Sequence, residues 1–431
     1  MSYKLRYDKT EFDVNLKDEN IKEVLEANDL GLIKKTPKEH IKDALNNPIG
    51  SDKLNEKIDK DDKVCIIISD ITRKWQSSKM YLPILVDELN KAGVKDDNIT
   101  ILSATGTHRK QTEEEHKELI GELYGRIEII DHVCTDDKNM VYMGTTSHGT
   151  PIKLNKIAVE ADKVIITGGV VYHFLAGFGG GRKSIVPGIA ARETIMKHHS
   201  LSLNKGLGSG SNPFVRSANM SETNPFHMDL MEAAEMLKPT FLLNVVVDGD
   251  FNIIKAFAGD YVEAHREACK MVDEMEGVYV DKKYPFVIAT AGGFPKDINL
   301  YQGSKTLCNV MEIIEDNGTA IILFKCGEKF GDEDCEKQIK GYDNMYDREV
   351  SLRNDFSIGA YVGYLFADFA DKYNLILVTS IPKEEFKNTK AYVTTTLDEA
   401  LEIAKDLNGG SLDMETVLLP HGANTLPKIR K

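Results

Sequence analysis

Short apolar runs rich in β-branched residues recur along the chain and are separated by longer segments with helical spacing of apolar residues. This alternation is typical of βαβ units, in which helices connect parallel strands. The pattern predicts an α/β fold with mainly parallel sheets flanked by helices. The clearest predicted strands are Val64–Ser69, Ile99–Ser103, Lys163–Thr167, Phe241–Val247, Phe286–Thr290, Ala320–Phe324 and Leu375–Thr379.

The chain has 431 residues, which is more than the roughly 250–300 residues that one hydrophobic core usually supports. We therefore predict two domains, residues 1–275 and 276–431, with the active site in the cleft between them. The boundary lies near the end of a predicted helix at Asp260–Lys282, shortly before Pro285, where a new apolar run begins. The pattern leaves open whether the last residues, from Leu418 onward, return to the first domain.

The formal net charge of −14 disfavours nucleic acids and anionic membranes as partners, because both bind a local excess of lysine and arginine. No apolar run reaches the ~18 residues of a membrane span, and no apolar signal segment opens the sequence. The six cysteines include no CxxC pair, which fits a reducing compartment. We therefore expect a cytoplasmic protein whose partners include neither nucleic acid nor a membrane.

Polar side chains follow two of the predicted strands at the point where each strand ends. Asp70-Ile71-Thr72-Arg73 comes after Val64–Ser69, and Thr105-Gly106-Thr107-His108 comes after Ile99–Ser103. The carboxyl ends of parallel strands carry the ligand-binding loops in such folds, and Arg suits recognition of a carboxylate. The residues alone also allow a simpler interpretation, a loop salt bridge with a capping Asp70 and a solvated His108.

The segment from Gly168 to Gly188 is the densest cluster of functional residue types. Five glycines within twelve residues lie around Lys183, and His173 precedes them. The loop approaches the phosphate-binding P-loop pattern, but Arg182 stands where the last glycine belongs. The segment predicts a binding site, and the alternative is a mobile loop that exposes Arg182 and Lys183.

Two further segments contain candidate binding residues, a histidine pair and a glutamine–lysine pair. Adjacent residues on a helix diverge by about 100°, so only one of His198 and His199 is expected to face the glycine-rich loop. A single imidazole is a good ligand for nickel, zinc or copper. Gln302 and Lys305 are three positions apart and would share one face of a helix opening.

Taken together, these segments resemble the lactate racemase family, whose members use a nickel-pincer nucleotide, pyridinium-3,5-bisthiocarboxylic acid mononucleotide with bound nickel. The resemblance implies a racemase or epimerase of a small 2-hydroxy acid, with separate maturation enzymes that build the cofactor. The implied residues are His108 and His173 for acid–base catalysis, His199 for nickel, Lys183 for covalent attachment of the cofactor, Asp70, Thr72, Gly106, Gly180, Gly181, Pro187, Tyr301 and Gln302 for further cofactor contacts, and Arg73 and Lys305 for the substrate carboxylate.

The reaction that the resemblance implies explains these residue types. The hydrogen on the carbinol carbon is not acidic enough for simple deprotonation, so the cofactor accepts it as hydride while one histidine removes the hydroxyl proton. The planar 2-oxo acid rotates and receives the hydride and the proton on its other face, while two cations hold its carboxylate. Tyr361 departs from the family pattern, where a histidine is expected, which leaves the substrate side chain open.

Two other functions are compatible with the residues. The first is a zinc-type hydrolase or lyase in which His108, His173 and His199 bind the metal. The second is a non-catalytic protein that binds a nucleotide or phosphate through the glycine-rich loop.

Overall fold

The computed structural model of the protein describes residues 3–31 and 35–430 and divides into two compact units. The N-unit comprises Leu30–Leu201 and Phe214–Glu274, and the C-unit comprises Met1–Asp29, Ser202–Pro213 and Met275–Lys431. The predicted first domain, residues 1–275, differs from the N-unit at two places, since Met1–Asp29 and Ser202–Pro213 group with the C-terminal residues instead.

The described residues form strands in both units. In chain order these are β1 Tyr3–Tyr7, β2 Thr10–Val14, β3 Ile21–Val24, β4 Val64–Ser69, β5 Ile99–Ala104, β6 Glu128–Asp131, β7 Met140–Thr145, β8 Pro151–Asn155, β9 Lys163–Gly169, β10 Tyr172–His173, β11 Gly177–Phe178, β12 Phe241–Val247, β13 Ile253–Gly259, β14 Gly277–Val280, β15 Tyr284–Thr290, β16 Ile314–Leu323, β17 Asn374–Val378, β18 Tyr392–Thr394, β19 Thr416–Leu419 and β20 Leu426–Ile429.

Helices alternate with these strands. In chain order these are α1 Pro37–Asn46, α2 Leu54–Lys57, α3 Ser78–Lys91, α4 Glu113–Ile120, α5 Lys156–Val159, α6 Arg192–His199, α7 Pro225–Leu237, α8 Glu263–Glu276, α9 Leu300–Gly303, α10 Lys305–Val310, α11 Glu333–Lys340, α12 Met345–Asn354, α13 Ile358–Lys372 and α14 Leu397–Leu407.

A six-stranded sheet in the order β13-β12-β9-β4-β5-β6 forms the centre of the N-unit. All neighbouring pairs are parallel except β12 and β13, which are antiparallel. Ile66 and Ile67 on β4 point to opposite faces, yet both are buried. Burial on both faces explains why the central strands read as continuous apolar runs rather than as alternating patterns.

The C-unit contains a second six-stranded sheet, in the order β18-β17-β16-β15-β19-β3, in which every neighbouring pair is parallel. Its edge strand β3 comes from the start of the chain and pairs with β19 near the end. This pairing places the N-terminal segment in the C-unit. Together the two sheets confirm the predicted α/β class, and all seven predicted strands form.

One predicted helix is shorter than expected. The sequence predicts a helix over Asp260–Lys282, whereas α8 spans Glu263–Glu276 and the chain continues as β14. The β-branched Val278 and Val280 suit a strand, and β14 pairs in parallel with β20. The last strands, β19 and β20, therefore lie in the C-unit. Among the described residues no helix has the length and apolarity to cross a membrane.

Candidate active site

The loops after β4 and β5 bring Asp70 and His108 together. These strands are parallel neighbours, with Ser69 beside Ala104, so the residues that follow them emerge at the same edge of the sheet. His108 Nδ1 lies 2.6 Å from Asp70 Oδ2, and the Thr72 hydroxyl donates to Asp70 Oδ1 at 2.6 Å. Opposite a carboxylate, Nδ1 carries the hydrogen and donates it. Nε2 of the neutral ring is therefore the nitrogen that accepts a proton.

Asp70 is held as a carboxylate although it is only 3% exposed. Burial acts to raise the pKa of Asp70, but the hydrogen bond and charge of His108, with help from Thr72 and Arg73, outweigh it and lower the pKa. Arg73 is exposed and donates from Nη1 to the Thr72 hydroxyl at 3.0 Å. Four predicted site residues thus form one hydrogen-bonded chain.

The loop after β5 also contacts the glycine-rich segment. Gly106 N donates to Gly188 O at 3.0 Å, and a Cβ placed on Gly106 would lie 3.6 Å from the carbonyl oxygen of Pro187. Gly106 has a φ of +57°, a left-handed conformation that favours glycine. The predicted contact residues Gly106 and Pro187 are therefore direct neighbours.

His173 has a hydrogen-bonding pattern opposite to that of His108. It lies on β10 of the small β10–β11 hairpin, and its Nδ1 accepts from the backbone N–H groups of Leu175 and Ala176, each at 3.1 Å. A nitrogen that accepts from two N–H groups carries no hydrogen of its own. The neutral His173 ring is therefore protonated at Nε2.

The backbone around Lys183 is fixed by three side chains. Asn244 on β12 accepts from Gly181 N at 3.0 Å through Oδ1, and the Ser184 hydroxyl donates to Thr167 O at 2.8 Å. Arg182 is 2% exposed, and it donates to Ala176 O at 2.9 Å. The alternative in which this loop exposes Arg182 is therefore wrong.

Histidines, rather than carboxylates, surround Arg182. Its guanidinium lies 2.9 Å from His227 Nδ1 and 3.2 Å from His265 Nδ1, while His265 Nε2 lies 2.8 Å from Gly179 O. Burial lowers the pKa of Arg182 to about 10, so it remains a cation at neutral pH. No local sequence pattern predicts the group of Arg182, His227 and His265, because its members lie up to 83 positions apart. The buried Arg182 supports the loop that presents Lys183.

Phe226, at the start of α7, lies near three predicted residues of the N-unit, Lys183, His173 and His199. Lys183 Nζ lies 5.8 Å from the centre of its ring. The rings of His173 and His199 lie 6.4 Å and 5.0 Å from it, and that of His198 lies 3.9 Å from it. Phe226 is not among the residues predicted from the sequence. The signal available was the Asn224-Pro225 helix start, where Asn224 caps α7.

His199 is a neutral imidazole with one nitrogen already engaged. Its Nδ1 donates to Ile195 O at 2.8 Å, one turn back on α6, so Nε2 holds the lone pair. Burial, with the nearby His198 and Lys183, lowers the pKa of His199 well below its ordinary value. A neutral imidazole with its other nitrogen hydrogen-bonded to a carbonyl is the form that binds metals.

Three predicted residues lie in the C-unit. Lys305 Nζ donates to Gln302 Oε1 at 2.7 Å and lies 5.5 Å from the centre of the Tyr301 ring. Gln302 and Lys305 therefore share a face at the α9–α10 junction, as their spacing predicts. All other predicted site residues lie in the N-unit.

Two parts of the sequence match family models. Residues 7–210 match the lactate racemase N-terminal domain, and residues 280–426 match the lactate racemase C-terminal domain. A lactate racemase of Thermoanaerobacterium thermosaccharolyticum is 33% identical over 97% of each chain, and one of Lactiplantibacillus plantarum is 34% identical over 98% of this chain and 99% of its own.

Solved structures agree with these matches. The lactate racemase apoprotein from T. thermosaccharolyticum superimposes with a TM-score of 0.89 at 32% identity, and the match covers 100% of both chains. A Thermotoga maritima protein shares the fold, with a TM-score of 0.64 at 18% identity over 92% of this chain and all of its own. The chain therefore belongs to the lactate racemase family and is an enzyme of the isomerase class.

Proposed function

We propose that this chain inverts the configuration of a small 2-hydroxy acid at its carbinol carbon. The observation that carries the proposal is the complementary state of two imidazoles, His108 and His173. His108 Nδ1 faces a carboxylate, whereas His173 Nδ1 accepts from two backbone N–H groups. The neutral His108 ring is thus prepared to accept a proton at Nε2, and the neutral His173 ring carries a hydrogen at Nε2 that can form a hydrogen bond to the substrate oxygen. An inversion that moves the hydroxyl proton from one face to the other needs such a pair.

His108 is the proposed base for one enantiomer. It takes the hydroxyl proton at Nε2, and the carboxylate of Asp70 stabilises the positive ring that results. Thr72 keeps Asp70 oriented by its hydrogen bond to Oδ1.

His173 is the proposed acid for the same direction. It donates from Nε2 as the imidazolium and becomes a neutral ring protonated at Nδ1, and in the reverse direction that neutral ring accepts the proton at Nε2. Both states carry a hydrogen at Nδ1, which conflicts with the N–H groups of Leu175 and Ala176. We therefore propose that the β10–β11 hairpin adjusts when His173 takes part in proton transfer.

The residues fit the nickel-pincer nucleotide that the family resemblance implies. His199 offers Nε2 of a neutral, buried imidazole to the nickel, and Lys183 offers its amine to the covalent link. When bound, this group supplies the acceptor for the hydrogen on the carbinol carbon. Because the link to Lys183 is covalent, we propose that maturation enzymes supply the cofactor.

Two cations are proposed to hold the substrate carboxylate. Arg73 lies at the end of the Asp70–Thr72 chain of hydrogen bonds, and Lys305 is oriented by Gln302. A chain with a net charge of −14 needs such local cations to attract an anionic substrate. Because two of its relatives are lactate racemases, we propose lactate-like 2-hydroxy acids as the substrates of this chain.

The test is co-expression with cofactor-building enzymes, followed by intact-protein mass spectrometry and by isotope exchange on a panel of 2-hydroxy acids. We expect added mass at Lys183, no added mass in Lys183→Arg, and racemisation of at least one substrate. An unmodified Lys183 with no racemisation of any panel member would exclude the proposal. Hydrolysis or lyase activity restored by zinc alone would instead favour a zinc-type enzyme.

A further inference from the structure

A second group of metal-binding side chain types lies in the N-unit. His148 is in the turn between β7 and β8, and Asp229 and Glu232 lie three positions apart on α7. That spacing puts the two carboxylates on one face of the helix. One donor atom from each of the three residues lies within 4.8 Å of the other two.

The β7–β8 turn fixes the orientation of both carboxylates. The backbone N–H and hydroxyl of Ser147 donate to Glu232 at 2.7 Å and 2.5 Å, and the Thr150 hydroxyl donates to Asp229. His148 Nδ1 lies 3.1 Å from Asp229 Oδ1. Two ligand atoms on one zinc ion lie about 3.4 Å apart, given bonds of about 2.1 Å in a tetrahedron. The His148–Asp229 separation is close to that value.

The two carboxylates of this group have histidine, hydroxyl and backbone N–H partners. Asp229 is 1% exposed, and no lysine or arginine of residues 3–31 and 35–430 forms an ion pair with Asp229 or Glu232. Buried carboxylates are ordinarily paired with a cation or bound to a metal. Histidines are the basic side chains within ion-pair distance of Asp229.

His198 provides an independent observation on the same carboxylate. It is fully buried, and neither of its ring nitrogens has a hydrogen-bond partner. Its Nδ1 points at Asp229 Oδ2 from the interior, at 3.6 Å. Unsatisfied buried polar groups are rare, and a bound ion or water commonly accounts for them.

We propose that His148, Asp229 and Glu232 bind one divalent first-row transition metal ion of the Zn²⁺ type, at a structural site separate from His199. One imidazole with two carboxylates suits such an ion, whereas Ca²⁺ and Mg²⁺ are bound by oxygen ligands. Water completes the coordination, because His148 is exposed.

The proposed metal would connect the β7–β8 turn to α7. The first turn of α7 carries Phe226, which contacts Lys183 and His199, and His227, which contacts Arg182. A metal bound one turn later therefore stabilises the helix that supports the candidate active site. This role does not depend on the reaction that the enzyme catalyses.

The test uses the full chain expressed without maturation enzymes and stripped with a chelator. Zn²⁺ is titrated against a chromophoric competitor, and thermal unfolding is followed with and without Zn²⁺. The variants are His148→Asn and Glu232→Gln, which change exposed or partly exposed side chains. The controls are His116→Asn, which removes another histidine paired with an aspartate, Asp131, and His199→Ala, which removes the candidate nickel ligand.

We expect His148→Asn and Glu232→Gln each to weaken Zn²⁺ binding at least tenfold and to abolish the rise in Tm that Zn²⁺ produces. His116→Asn and His199→Ala should leave this binding unchanged. The proposal is overturned if the wild-type chain binds no Zn²⁺ at micromolar concentrations, or if only His199→Ala removes binding. It is also overturned if His148→Asn and Glu232→Gln lower Tm while Zn²⁺ still raises it, because the cluster is then a hydrogen-bonded connection alone.

Discussion

The two units contain sheets of the same size but differ in their chemistry. Both have six strands with mainly parallel pairing, yet ten of the eleven histidines, all of them in the described part of the chain, lie in the N-unit. His421 is the histidine of the C-unit, whose predicted site residues are Tyr301, Gln302 and Lys305. The shared sheet therefore does not determine the chemistry, which depends on the loops that follow the strands. We infer that the N-unit carries proton transfer and the C-unit supplies a fixed cation.

The largest expected effect tests proton transfer in the N-unit. His108→Gln and His173→Gln should each lower kcat for racemisation by about 10²–10⁴-fold, the usual contribution of a general acid or base. Lys74→Ala is the control, since Lys74 is an exposed neighbour of Arg73. Kinetics on the cofactor-loaded enzyme are the measurement. A rate near wild type in either histidine variant would contradict the two-base scheme.

A smaller effect is expected when the support of His108 is removed. Asp70→Asn keeps the shape of the side chain but offers an amide that can donate to Nδ1, which favours the wrong tautomer of the ring. We expect kcat to fall about 10–10³-fold while KM changes little. Mass spectrometry should show normal cofactor loading at Lys183. If the variant instead carries less cofactor on Lys183 but the loaded enzyme has an unchanged rate, then Asp70 acts in binding the cofactor and not in supporting His108.

The C-unit prediction concerns binding rather than proton transfer. Lys305→Met removes a cation proposed to hold the substrate carboxylate, and a hydrogen bond to a charged group contributes about 1.5–3 kcal/mol. KM should therefore rise by about 10–100-fold, with a smaller change in kcat. Lys282→Met, which removes a C-unit lysine paired with Glu415, is the matched control. Equal losses of kcat in Lys305→Met and in the histidine variants would contradict the assignment of proton transfer to the N-unit and substrate binding to the C-unit.

The sequence predicted local features better than contacts between distant segments. The strands and the Asp70 and His108 loops could be placed because parallel strands end at one edge and because buried runs read clearly. By contrast, β3 is short, with three of its four residues exposed, so nothing local marks it as part of the C-unit sheet. Phe226 and the surroundings of Arg182 depend on packing across tens of residues. The tautomers of His108 and His173 follow from single hydrogen bonds that no spacing predicts.

The smallest expected effect is a difference in acid stability between the units. Burial lowers the pKa of His132 to about 4, and burial with the charge of Arg182 lowers those of His227 and His265 to about 3. In the unfolded chain these rings titrate near ~6.5. Between ~6.5 and the folded values the unfolded state binds more protons, so the N-unit loses stability as the pH falls.

The C-unit contains two partly buried acids with the opposite dependence. Burial raises the pKa of Glu276 and of Asp368, so each binds a proton in the folded state before the unfolded state does. Acidification through their raised pKa values therefore adds stability, which offsets losses elsewhere in that unit.

Trp75 allows the two responses to be separated. It is the single tryptophan of the chain and packs against the N-unit core, so its fluorescence reports on that unit, whereas far-UV circular dichroism reports on both. We expect the urea midpoint measured by Trp75 fluorescence to be lower at pH 5 than at pH 7. At pH 5 it should lie below the midpoint of the part of the circular dichroism change that comes from the C-unit. Glu276→Gln should reduce the change in the separation of these two midpoints between pH 7 and pH 5, because its neutral amide binds no proton as the pH falls. Coincident midpoints at both pH values would show that the units unfold together. The buried histidines of the N-unit would then not determine how the free energy of unfolding of that unit changes in acid.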